Sequence, residues 1–185
     1  MEIGPEFLLG LAGVSATLVG TFLVGVFFYI DSDLHRRLAT SEAADRYLRS
    51  GFRWVFIVYS LPVLVPLALA AGHPIWGALV FIALGAVLVV ASVDTVRRIL
   101  MEGGAGMSRA IMINEWFTTA AVLVIVALPW VLGGWVPEPS AFIPSLLLAM
   151  AAGFTSTAAV VMALFDATMG MPAREPTPRK RRGGR

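Results

Sequence analysis

Five stretches of this 185-residue chain contain no Asp, Glu, Lys, Arg or His: Phe7–Ile30, Trp54–Gly72, Ile75–Val93, Trp116–Val136 and Ala141–Phe165. Each is close to the roughly 20 apolar residues that an α-helix needs to cross the hydrocarbon core of a bilayer. A water-soluble fold would have to hide all five in one core. The composition forbids that, with 58% hydrophobic and 14% charged residues against roughly 45–50% and about 25% in soluble domains. A chain this short cannot bury so much apolar surface and still present a wettable exterior. A bilayer removes the conflict, and it also demands that backbone polar groups be satisfied within each segment, which a helix does. The sequence therefore predicts an all-α integral membrane protein. Its one domain, residues 1–166, is a five-helix transmembrane bundle, and residues 167–185 form a disordered basic tail.

The basic residues orient this bundle. Arg36, Arg37, Arg46, Arg49 and Arg53 lie between the first two apolar stretches, and Arg97, Arg98 and Arg109 between the third and fourth. Arg174, Arg179, Lys180, Arg181, Arg182 and Arg185 follow the fifth. All 14 thus fall on one side of a five-span topology, and the positive-inside rule makes that side cytoplasmic. The expected arrangement is N-terminus out and C-terminus in, within a bacterial-type plasma membrane. The lead-in MEIGPEF is acidic, unlike the positively charged start of a cleavable signal peptide. Tryptophans agree with this placement. Trp54 and Trp116 open the second and fourth stretches at the cytoplasmic interface, whereas Trp76, Trp130 and Trp135 fall near the outer one, where an indole is half solvated.

Because lipid is as apolar as leucine, membrane helices associate where small residues let backbones approach. Two stripes at spacing four have that character: Gly13, Thr17, Thr21 and Gly25 in the first stretch, and Ser145, Ala149, Gly153 and Thr157 in the fifth. Both are expected to face other helices of the same chain, with a seam between protomers as the alternative. Pro62 and Pro66 fall within the second stretch, and each removes a backbone hydrogen bond there. Ahead of that stretch, Glu42 precedes Arg46 and Asp45 precedes Arg49 at spacing four, pairings that support a helix running straight into the membrane.

Chemistry is bounded mainly by what is missing. With no cysteine, disulfides, thiolate metal sites and thiol catalysis are excluded. None of the five stretches places an ionisable group at mid-membrane, which argues against proton-coupled transporters, pumps and retinal proteins. The sequence Gly13-Val14-Ser15-Ala16 has the look of an intramembrane serine-protease site, but His73 sits at the outer turn with Ser15 deeper in the membrane, and no second feature supports it. Asp31 and Asp33 form a carboxylate pair without the further ligands that a metal-dependent transferase needs. No metal site and no cofactor are expected.

What remains is a set of polar residues at the cytoplasmic face: Arg53, Asp94, Arg97, Arg98, Asn114, Glu115 and Asp166. They read first as interfacial ion pairs closing helix ends, since Asp94 stands three and four residues before Arg97 and Arg98. Their functional alternative is a site for a lipid headgroup, a metal or a partner's loop. The basic tail is expected to meet anionic lipid headgroups and not nucleic acid. Three functions follow in order. The first is a non-enzymatic subunit or scaffold of a membrane assembly, with a membrane-protein partner or a homo-oligomer. The second is a small oligomeric channel or carrier for a neutral solute, built on the proline-bearing second stretch and on Thr155, Ser156 and Thr157. The third is a lipid-headgroup-binding protein or enzyme using the cytoplasmic cluster.

Overall fold

The computed structural model describes residues 4–31, 42–101 and 109–169, with side chains described over 4–31, 51–94, 97 and 118–162. Among them the chain is wholly helical: α1 (Pro5–Asp31), α2 (Glu42–Ala71), α3 (Pro74–Met101), α4 (Arg109–Gly133) and α5 (Pro139–Met169). The charged segment and the second apolar stretch form one unbroken helix, α2. The last helix runs on past residue 166 to Met169, and the expected disordered tail beyond it lies outside the described residues.

Local chemistry sets the helix ends. Three helices open on proline, whose fixed φ suits the first turn and whose missing N–H would have had no partner there. In each, the amide three residues past the cap bonds the cap carbonyl: Phe7 to Gly4 at 3.1 Å, Trp76 to His73 at 2.9 Å, and Ala141 to Glu138 at 2.9 Å. His73 adds its side chain, with Nδ1 accepting from the Ile75 amide at 3.4 Å. The fourth apolar stretch was expected to stay helical to Val136, but α4 stops at Gly133. Gly134 adopts φ +68°, and its amide reaches back 3.0 Å to the Trp130 carbonyl. That is the left-handed cap by which helices commonly end on glycine.

Four helices carry segments long and apolar enough to cross a membrane: Pro5–Asp31, Gly51–Ala71, Pro74–Asp94 and Pro139–Met162. In α4 the described apolar portion is the shorter Thr118–Gly133. Around the bundle the exposed surface is apolar, with Phe27, Phe28, Val90, Val131 and Met162 all at least 65% exposed. Such a surface fits hydrocarbon and not water.

Helix α2 is the hub. It packs on α1, α3 and α5, while α4 closes a four-helix ring by packing on α3 and α5, which leaves α1 as an outrigger on α2. At the end bearing the short loops, Phe81, Trp130 and Phe142 stack edge to face with centroids 5.3–6.2 Å apart, joining α3, α4 and α5. Further along, Phe22 meets Phe52 and Phe56 at 5.7 and 5.6 Å, and Tyr29 meets Phe52 at 5.7 Å, fastening α1 to α2. Pro62 and Pro66 are both buried in this core, and α2 continues through them.

Candidate functional site

The two small-residue stripes share one sequence pattern and receive opposite placements. On α5, Ser145 and Ala149 are wholly buried, Gly153 is buried and Thr157 half-buried. A Cβ at Gly153 would stand 2.8–3.0 Å from three ring atoms of Tyr59 on α2. Only glycine allows α2 to lay that ring directly on the α5 backbone. Tyr59 is itself 1% exposed, and its hydroxyl pairs with that of Thr157. Five residues before Tyr59 on α2, the Trp54 indole donates from Nε1 to Ser156 Oγ at 3.1 Å. The seam therefore alternates ring and notch, with polar tips paired across it. Sequence reasoning missed Tyr59 and Trp54 as partners of this stripe. The available signal was chemical: a tyrosine or tryptophan tip taken into an apolar span must find a polar partner.

On α1 the expectation of packing within the chain fails. Gly13, Thr17, Thr21 and Gly25 are all exposed, and a Cβ built on Gly13 or Gly25 meets no atom within 4 Å. The face that α1 turns inward carries Leu8, Leu11, Ala12, Ser15, Phe22 and Tyr29. Aromatic and leucine side chains offer more contact area to α2 than glycines do, so dispersion decides the rotation of this helix. Thr17 and Thr21 spend their hydroxyls on their own helix, bonding the Gly13 and Thr17 carbonyls at 2.9 Å each.

The hydroxyls expected to line a solute path are committed elsewhere. Thr155 is exposed and bonds the Ala151 and Ala152 carbonyls at 3.1 and 3.0 Å. Thr157 bonds the Gly153 carbonyl at 2.9 Å, and Ser156 is taken by Trp54. Ser15 is wholly buried and bonds the Leu11 carbonyl at 2.9 Å and the Met150 sulfur at 3.1 Å. His73 caps α3 instead.

At the charged end, Arg53, Asp94 and Arg97 are each exposed. The α2–α3 hairpin brings Leu69 against Gly77, a register that sets Arg53 level with the residues just before Asp94. The side chains of Arg98, Asn114, Glu115 and Asp166 lie outside the described ones. Among the described residues no three His, Cys, Asp or Glu side chains gather as metal ligands. At the opposite end a shallow depression is lined by Leu132, Gly133, Val136, Glu138, Ser140 and Ala141. It lies where Gly133 packs so closely that an added Cβ would stand 2.8 Å from Ala141 and 2.9 Å from Pro137. No protein-family model, curated protein or solved structure matches this chain.

Proposed function

We propose that this chain is a non-enzymatic, five-span protein of a bacterial-type plasma membrane, a subunit or scaffold that works by presenting helix α1 to a partner. The observation that carries the reading is the outward placement of Gly13, Thr17, Thr21 and Gly25. This face carries only glycine and threonine, and both threonine hydroxyls bond their own helix, so a second helix can approach its backbone closely at little desolvation cost. Meanwhile the ring of α2 to α5 is filled by Phe81, Phe142, Tyr59 and leucine and valine side chains below 2% exposure, and the Thr155, Ser156 and Thr157 hydroxyls are bonded. That interior supports packing and not conduction.

The fifth span and the orientation rest on two arguments. Helix α4 has 25 residues, about 37 Å at ~1.5 Å per residue, and its uncharged part Trp116–Gly133 covers about 27 Å of the ~30 Å hydrocarbon core. All 14 Lys and Arg residues then lie on one side, which the positive-inside rule assigns to the cytoplasm. Arg53 and Arg97 at that end, with the basic tail, would meet anionic lipid headgroups.

The test is purification in a mild, lipid-preserving detergent followed by native mass spectrometry. A stable complex with a different membrane protein supports the scaffold reading. Gly13→Ile should release that partner without lowering thermal stability, because a Cβ built there meets no atom within 4 Å and isoleucine is the better helix former. A homo-oligomer with nothing else bound refutes the scaffold reading and turns attention to solute flux in liposomes.

A further inference from the structure

Helices α2 and α5 run antiparallel, and three contacts fix their register. A Cβ on Gly51 would stand 2.9 Å from Val160, Trp54 bonds Ser156, and the Tyr59 ring covers Gly153. Advance along α2 is matched by retreat along α5 to within one residue of a common register. Continued by the same step, this register sets Pro62 at the depth of Ala149 and Pro66 at the depth of Ser145.

Two polar anomalies therefore coincide in depth. Pro66 has no N–H, so the Pro62 carbonyl lacks its usual helical donor, and Pro62 removes the donor for Val58 in the same way. Opposite them, Ser145 is 0% exposed, and its Oγ has no hydrogen-bond partner. The other buried serines behave differently: Ser15 bonds its own Leu11 carbonyl at 2.9 Å, and Ser92 its Leu88 carbonyl at 3.0 Å. By this register Ser145 is an unpaired hydroxyl at the level of Pro66, the residue toward which the donor-less Pro62 carbonyl points along the helix. Ala149, one turn along α5 and wholly buried, contributes only a methyl group to this part of the seam.

We propose that the α2–α5 seam holds a buried water at this level, bridging the Ser145 hydroxyl and the Pro62 carbonyl. A water both accepts from a hydroxyl and donates to a carbonyl, which is the combination that these two groups call for. Buried waters occupy positions of this kind, between polar groups that the protein alone leaves unsatisfied. In hydrocarbon no bulk solvent is at hand to satisfy them otherwise. The bound water lets α2 carry two prolines through the bundle core without leaving its freed carbonyls bare.

The sequence supplies a clean probe, since Pro62–Val63 is the one Pro–Val step in the chain. Protein labelled with carbonyl-13C proline and 15N valine, reconstituted in lipid bilayers, gives one nitrogen–carbonyl correlation in solid-state NMR, that of Pro62. Magnetisation transferred from water should reach this carbonyl in the wild type and be largely lost in Ser145→Ala. No transfer in the wild type overturns the proposal, because Ser145 then turns to its own backbone as Ser15 does. Transfer that survives Ser145→Ala overturns it too, since water would then reach α2 without the serine. If the alanine variant fails to reconstitute, Ser145→Gly makes the same deletion.

Discussion

Replacing Gly153 by alanine should loosen the α2–α5 seam although it adds only a methyl group. The built Cβ lies 2.8 Å from Tyr59 Cζ, 2.9 Å from Cε2 and 3.0 Å from Cε1, against 3.4–4 Å for ordinary contact. The ring must therefore move by several tenths of an ångström. It cannot swing away freely, because Tyr59 is packed in a cluster with Phe22 and Val55 at 1% exposure. Overpacking of this kind costs about 1–3 kcal/mol. Against it stands the helix propensity of alanine over glycine, worth about 0.8–1.0 kcal/mol. A net destabilisation between roughly zero and 2 kcal/mol is expected, so a single measurement would be ambiguous. The decisive quantities are differences. Gly10→Ala, whose Cβ meets nothing within 4 Å, receives the propensity gain alone and should lie above Gly153→Ala by the full steric cost of about 1–3 kcal/mol. Tyr59→Ala on its own leaves a cavity and costs about 3–5 kcal/mol, as large aromatic truncations do. Combined with Gly153→Ala it should cost less than the sum of the two, because the methyl then enters vacated space. Equilibrium unfolding by SDS titration in mixed micelles measures all four variants. Strict additivity of the Gly153 and Tyr59 changes would refute the claim that the glycine exists to seat the ring.

Three further outcomes follow from other contacts. Trp54→Phe removes the indole donor to Ser156 and should cost about 0.5–1.5 kcal/mol, the usual net worth of one hydrogen bond. Ser156→Ala should add little on top of it in the same SDS titration. Gly134→Ala places a side chain at φ +68° and should destabilise by about 1–2 kcal/mol, with Gly134→Asn milder because asparagine tolerates this region; comparable loss for both would exclude backbone strain as the cause. The absence of native cysteine makes topology directly measurable. In intact cells a membrane-impermeant maleimide should label Trp135→Cys, at a position 96% exposed, whereas Arg185→Cys should label only after permeabilisation. The reverse pattern would invert the proposed orientation.

The helices and their ends were largely legible in the chain. Apolar stretches free of charge give helices because unpaired backbone is intolerable in hydrocarbon, and Pro5, Pro74 and Pro139 mark three starts by a purely local rule. The end of the fourth stretch, placed at Val136 where α4 stops at Gly133, also had a local cause, since Gly133-Gly134 permits the left-handed cap that ends α4 before the apolar composition does. Pairings across the seam were not legible. Trp54 finds Ser156, and Tyr59 finds Gly153 and Thr157, some hundred positions away along the chain, and no local pattern encodes which antiparallel register brings them together.

The deepest limit shows in the two stripes. Gly13-Thr17-Thr21-Gly25 and Ser145-Ala149-Gly153-Thr157 are equivalent in spacing and chemistry, yet the bundle turns the first outward and buries the second. In a soluble protein an amphipathic pattern would have said which face goes in, because water penalises the wrong choice. Where lipid solvates the outside, inward and outward faces are equally apolar, and helix rotation is decided by shape. The sequence by itself determined that there are helices, how long they are and at which end the charge gathers, since those depend on solvation of backbone and ions. Tertiary structure alone decided which face each helix presents, because that depends on Phe22 fitting between Phe52 and Phe56 and on Tyr59 fitting over Gly153.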